Sequence, residues 1–339
     1  MLRLGIGATL VYLLLDKHEL KFDDVKVHLQ NLPVMFLVLA LALDQLGQTL
    51  CAYRWAELST LGGRPAKFKD TLPVYFTGMF FNMCLPTSIG GDVWRVVGLG
   101  RKTGSKSGAV ASVFMDRNVG LSALLVIGLI SSIASPQFST IEATLFGFHL
   151  IGPIWPIFLL LIVGFVGANV ALFSDSFCHA VTFVTDRLRL HFVSSRIEKL
   201  HNSVQVFRQP LPRYFSSFMV SIVYQLSEIA VVVVLARGMN VNVSPFVIAT
   251  IVTFQAVASL LPITFNGVGV REAIFCAVLK GQMGAGIKDE AVALSLAYFG
   301  IIMMSSVIGG VVYVLSGMQR PSTAEVETDG VVNSMASGQ

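Results

Sequence analysis

Two short stretches of this chain carry the same chemistry at the same spacing. Leu85 to Arg95 reads LPTSIGGDVWR, and Leu261 to Arg271 reads LPITFNGVGVR. In each, a proline leads an arginine by nine positions; Ser88 matches Thr264 and Gly91 matches Gly267 at the same 176-residue offset. Arginine keeps its charge and offers a planar fork of donors that suits phosphate. Arg95 and Arg271, helped by Ser88, Thr264 and the backbone amides around Gly90, Gly91, Gly267 and Gly269, could clamp an anionic headgroup at a broken helix end. Asn82, just before the first element, and Asn266, inside the second, join this candidate binding set. The competing reading is structural, with Arg95 paired to Asp92 and Arg271 to Glu272 or another buried acid.

Other charges stand in apolar sequence. Asp44 and Glu228 lie deep in hydrophobic runs, and DQLGQ (Asp44 to Gln48) resembles YQLSE (Tyr224 to Glu228), which sets Gln48 opposite Glu228. An acid inside a membrane span suggests a counter-charge to the arginines or a coupling site. Asp116 and Arg117, in ASVFMDRNVG, stand where the third span, counting the opening anchor, begins, just before its apolar run from Val119, as an interfacial anchor or as further counter-charges.

The elements that must hold these groups are membrane helices. Hydrophobic residues make up 54% of the 339, charged residues 13%, and the mean hydropathy is +0.72, values outside the range of soluble domains. Full-length apolar spans are expected at Leu32 to Ala56, Ala109 to Ala134, Ile151 to Phe173, Tyr214 to Ala236 and Ala291 to Leu315. A sixth, short one opens the chain; without a small-residue cleavage site it reads as a retained signal anchor. Thr71 to Arg101 and Pro245 to Lys280 are each interrupted midway by the Pro/Gly/Arg element, so each is expected to be a broken helix or a re-entrant hairpin.

Loop charges give the topology. With both termini in the cytoplasm, Arg54, Arg64, Lys67, Lys69, Arg101, Lys102, Lys106, the basic residues between Arg187 and Arg213, and Arg320 are inside; the Ser135 to Leu150 loop, outside, has no Lys or Arg. Three spans per half is an odd number, so the second half is inverted relative to the first. The fold expected is therefore an all-α polytopic membrane protein of two inverted repeats, each with three transmembrane helices and one broken hairpin. The first repeat is residues 1–134, with its hairpin at 71–101, and the second is 151–317, with its hairpin at 245–280. Residues 175–213 form an amphipathic cytoplasmic insertion, read either as a helix on anionic lipid or as a solvated loop helix. Residues 318–339 read as a disordered tail. The four cysteines form no CxxC and the histidines no HExxH, so neither metal nor cofactor is expected, and no nucleic-acid module is visible.

Taken together, RWAEL (Arg54 to Leu58), the N-x-x-LP-x-x-x-GGD-x-x-R element (Asn82 to Arg95), ASVFMDR (Ala111 to Arg117) and LP-x-x-x-NGVGVRE (Leu261 to Glu272) resemble the lysylphosphatidylglycerol synthase transmembrane region, a flippase-like family. The resemblance covers nearly the whole chain, about Leu2 to Gly317. It implies a protein of the bacterial inner membrane that moves a lipid headgroup between leaflets by alternating access. Full-length synthases carry a soluble aminoacyl-transfer domain, which is not seen before Gln339, so synthesis is not expected. Tyr298-Phe299 stands where relatives often have Tyr-Arg, which removes a third buried arginine.

The resemblance and the residues agree on a carrier of an anionic or zwitterionic lipid or lipid-linked intermediate: a phospholipid, polyprenyl phosphate or glycolipid. A non-transporting accessory protein for a lipid or envelope synthase, docked through residues 175–213, is the alternative. An enzyme acting on lipid phosphate is the third reading, disfavoured because the acid pair Asp23-Asp24 lies in an exterior loop and no histidine is near either hairpin.

Overall fold

In a computed structural model of the chain, the residues described are 22–60, 66–84, 90–135, 141–145, 148–187, 201, 205, 211–260, 267–284 and 287–317. The opening anchor and the tail at 318–339 lie outside them. A short helix, α1 (Phe22–Gln30), precedes α2 (Val34–Ser59), α3 (Phe68–Cys84), α4 (Gly90–Thr103) and α5 (Lys106–Ala134). A two-stranded hairpin, β1 (Ile141–Leu145) and β2 (Phe148–Gly152), leads to α6 (Trp155–Phe173) and α7 (Asp175–Arg187). Then come α8 (Leu211–Gly238), α9 (Pro245–Leu260), α10 (Val270–Met283) and α11 (Lys288–Leu315).

Helices α2, α5, α6, α8 and α11 are long and apolar enough to cross a bilayer, and they coincide with the five full-length spans expected. Their outer faces expose Val38, Leu46, Leu160, Val163, Leu226 and Val311, among others. Such surfaces would aggregate in water and are solvated by lipid in a membrane. The protein is an all-α polytopic membrane protein, with the β1-β2 hairpin as a small external addition. That hairpin falls in the stretch read as a bare loop. It pairs Ile141 with Gly152 through Leu145 with Phe148. Ile151 therefore belongs to a strand, and α6 starts only at Trp155, after Pro153 and with Pro156 in its first turn, where a missing N–H costs nothing.

The order long, short, short, long occurs twice. Helices α2 to α5 have 26, 17, 14 and 29 residues, and α8 to α11 have 28, 16, 14 and 28. In each set one short helix ends just before the Pro/Gly element, at Cys84 or Leu260, and the next begins within it, at Gly90 or Val270. Packing exchanges partners between the sets: α3 lies against α11, α9 lies against α5, and α2 pairs most extensively with α8. Gly238 meets Leu32 and Phe36, Gly47 meets Ser227 and Tyr224, and Arg54 reaches Ser221, so α2 and α8 run antiparallel.

Within the first short pair, α3 and α4 touch backbone to backbone. A Cβ on Gly91 would collide with the Gly78 carbonyl oxygen and the Asn82 side chain. Gly164, on the outer part of α6, has open space around it. Gly91→Ala should therefore destabilise the protein by about 1–3 kcal/mol through overpacking. Gly164→Ala should be neutral or slightly stabilising, because alanine is the better helix former. Thermal unfolding of the two variants in detergent compares them directly; equal melting temperatures would show that the α3–α4 contact is loose.

Candidate functional site

A cavity of ≈ 380 Å³ opens between the two helix sets, lined by residues of α2, α3, α4, α5, α8, α9 and α11. Its most highly charged wall is built from three helices of the first set. Arg95 on α4 and Arg54 on α2 are both 5% exposed and share Asp116 on α5, which is 3% exposed. Arg54 Nε donates to Asp116 Oδ1 at 2.8 Å, and Arg95 Nη2 donates to Oδ2 at 2.6 Å. Arg54 Nη1 also donates to Ser221 Oγ on α8 at 2.7 Å, which carries the network across to the second set.

Aromatic faces complete the seat of Arg95. Its guanidinium carbon lies 4.3 Å from the Trp55 ring centroid and 4.8 Å from that of Tyr75, within cation–π range. Its Nε is buried and makes no hydrogen bond. At the more open edge, Arg117 donates from Nε and Nη2 to the two Asp92 oxygens at 3.0 and 3.1 Å, with half of its side chain exposed. Three guanidiniums face two carboxylates here, which leaves one positive charge over.

These positions correct two readings of the sequence. Asp116 and Arg117 do not begin a span: α5 starts at Lys106, capped by the Ser105 side chain on the Gly108 amide, so the pair sits three turns in. Arg54, assigned to the cytoplasmic side by charge bias alone, is buried within α2. The RWAEL stretch, with an arginine beside an apolar run, was the signal for it.

The second copy is built differently. Arg271, 1% exposed, donates to Glu272 Oε1 from Nε at 3.3 Å and Nη2 at 3.1 Å, and its guanidinium packs 4.3 Å from the Phe299 ring centroid. Glu272 also accepts from the Gly269 amide at 2.6 Å and from Ser295 Oγ at 3.2 Å. Arg95 lines the cavity and Arg271 does not, so the two arginines do not form one clamp. The reason is visible in the long closing helices. Asp116 and Arg117 are the eleventh and twelfth residues of α5; Tyr298 and Phe299 are the eleventh and twelfth of α11. Lacking an Asp there, Arg271 takes its sequence neighbour as counter-ion.

The glycine-rich breaks also differ from expectation. The Gly91 amide donates to Asn82 Oδ1 at 2.8 Å, so each satisfies the other, although Asn82 still borders the cavity. The Gly269 amide is taken by Glu272, as above, and Gly269 caps α10 with φ 87°, a left-handed conformation that glycine adopts without strain. Gly267 packs on Ser259 away from the cavity, and Gly90 opens α4. Ser88, Thr264 and Asn266 lie outside the described residues. Asp44 and Glu228 do line the cavity, at the α2–α8 crossing. Of the amphipathic insertion, α7 is described, and His201 and Gln205 tie the segment back to α6. His201 Nδ1 lies 2.8 Å from the Leu172 carbonyl oxygen, and Gln205 Nε2 donates to the Phe173 carbonyl at 3.2 Å.

Removing one partner of a buried ion network strands the rest. Asp116→Asn would leave Arg54 and Arg95 without their shared counter-ion, at a cost of about 3–5 kcal/mol. Arg117→Ala, at the exposed edge, should cost about 1 kcal/mol or less. Denaturation of both variants in detergent is expected to separate them clearly.

A sequence model described as the lysylphosphatidylglycerol synthase TM region matches residues 1–310. No individually curated protein matches the chain. The matched segment takes in both helix sets, the Arg54–Asp116–Arg95 network and the second-copy arginine. The chain thus belongs to the lysylphosphatidylglycerol synthase transmembrane-region family of lipid-related membrane proteins.

Proposed function

We propose that this protein is a carrier that moves an anionic or zwitterionic lipid, or a lipid-linked intermediate, between the leaflets of a bacterial inner membrane, with both termini in the cytoplasm. The observation that supports it is the uncompensated positive charge in the cavity wall, with the buried Arg95 Nε left without a partner. A phosphate offers the charge and the acceptor oxygens that this wall lacks. The cavity volume suits a headgroup, since small-ligand sites run from about 300 to 1,000 Å³; the acyl or isoprenyl tails would stay in lipid.

The twofold exchange of helices between the sets, with antiparallel α2 and α8 at its centre, favours an inverted repeat and alternating access. Rocking one set against the other would carry the headgroup past the α2–α8 crossing. A carrier is also the better chemical reading than an enzyme. Asp92 and Asp116, the acids beside these arginines, are each held in ion pairs and are poorly placed to act as acid or base.

Proteoliposomes carrying a fluorescent tail-labelled phosphatidylglycerol test the proposal. Arg95→Ala leaves Asp116 paired with Arg54 and so spares the fold. Loss of a charge-assisted contact worth about 1.5–3 kcal/mol should slow lipid movement by roughly tenfold to a hundredfold. Arg271→Ala should lower thermal stability more than it alters lipid preference. Unchanged movement of every anionic lipid tried with Arg95→Ala would overturn the proposal.

A further inference from the structure

The cavity has a second polar wall that the arginines do not reach. Asp44 on α2 and Glu228 on α8 stand beside each other where the two helices cross, next to the contact of Gly47 with Ser227. They are 2% and 6% exposed. Helix α11 supplies a hydroxyl to each: Ser305 donates to Asp44 Oδ2, and Tyr298 donates to Glu228 Oε2 at 2.8 Å. The Gln45 and Gln48 amides complete the shell of Asp44 at 3.1 and 3.3 Å. Glu228 Oε1 is buried, borders the cavity and has no hydrogen-bond partner.

Among the described residues, no cation pairs with these two acids. Arg54 is committed to Asp116 and Ser221, Arg271 to Glu272, and Arg95 and Arg117 to Asp116 and Asp92. The remaining titratable groups facing the pair, Cys51 on α2, Tyr75 on α3 and Tyr224 on α8, carry no positive charge. Two carboxylates side by side in an apolar interior, one with an orphaned oxygen, are a costly arrangement unless a small cation joins them. The two carboxyls offer four oxygens and Ser305 and Tyr298 two hydroxyls, six in all, only the lower limit of the six to eight that calcium takes, and both hydroxyls are already turned to the carboxyls.

We propose that the Asp44–Glu228 pair is a monovalent-cation site that holds a proton or a sodium ion between its carboxyls. In the lipid-carrier reading, on which this role rests, the bound cation couples a transmembrane gradient to lipid movement. The site lies on the contact between the two helix sets, where rocking would turn it from one face of the membrane to the other.

Infrared difference spectroscopy on the full chain in vesicles reads the cation directly, without lipid movement. One arm steps pH at fixed sodium, and the other steps sodium at fixed pH. A carboxyl band is expected in one arm, identifying the cation, and it should vanish in Glu228→Gln and Asp44→Asn while helical circular dichroism stays unchanged. Tail-labelled phosphatidylglycerol movement is then followed under the matching gradient, which should accelerate the wild type several-fold and leave Glu228→Gln indifferent. Absence of a band sensitive to these substitutions in both arms overturns the cation site, even if lipid moves. A band without lipid movement under any gradient leaves the site standing and removes the carrier reading.

Discussion

The Asp116 carboxylate, shared between two buried arginines, is the constraint on which the cavity depends. A guanidinium in a bilayer interior costs several kcal/mol on insertion scales (~3). Two of them side by side would repel as well. Both Asp116 oxygens are used, Oδ1 by Arg54 and Oδ2 by Arg95, so one acid holds α2, α4 and α5 at fixed separations. Trp55 and Tyr75 cover the Arg95 face and Ser221 caps Arg54 from α8. Asp92 reaches Arg95 at 3.5 Å but is shared with Arg117, so three guanidiniums meet two carboxylates and one charge is left over; a third acid at this point would have closed the network.

The two halves show how small a change redirects such a site. At matching positions of α5 and α11, Asp-Arg is replaced by Tyr-Phe. Phe299 gives Arg271 an apolar face and no competing charge, Glu272 neutralises it, and the second copy becomes a tightly packed core element with Ser295 and Gly269 drawn onto the same carboxyl. Tyr298 then turns its hydroxyl to Glu228. The same helix pattern thus supplies a cationic wall from the first half and, through α8 and α11, much of an acidic wall from the second. The resulting asymmetry gives the cavity two chemically distinct ends.

Much of this was legible in the sequence, and what was not has a physical reason. Apolar run length and the Pro/Gly breaks placed the five spanning helices and the two interrupted pairs, because these depend on local hydrophobicity and backbone chemistry. The importance of Arg95 was legible for the same reason: a charge in apolar sequence must be answered. Its partner was not. Asp92, three residues away, was the natural choice, yet Asp116 lies closer, because α4 folds back on α5 and tertiary geometry outranks sequence distance. Equality of Arg95 and Arg271 was the inference most damaged, since a repeat conserves spacing but not the neighbours that decide what each arginine binds. Arg54 was hidden by its place near a helix end, where charge bias and burial predict opposite things.

The position of the acidic pair follows from the same twofold arrangement. Where antiparallel helices α2 and α8 cross, the side chains that meet come from both sets, and Gly47 allows the close approach that brings Asp44 toward Glu228. Gln48, the counterpart of Glu228, turns its amide to Asp44 rather than across to α8. A glutamine in place of Glu228 would leave Asp44 as the one acid at the crossing. A glutamate on one side and an aspartate one turn away on the other make it a place where acidic side chains meet at the seam between the two helix sets. The hydroxyls that steady it, from Ser305 and Tyr298, both sit on α11, which also packs on α3. Any shift of α11 relative to α2 and α8 would therefore change the coordination of the pair, and under the proposed cation site a change in occupancy would in turn bias the position of α11.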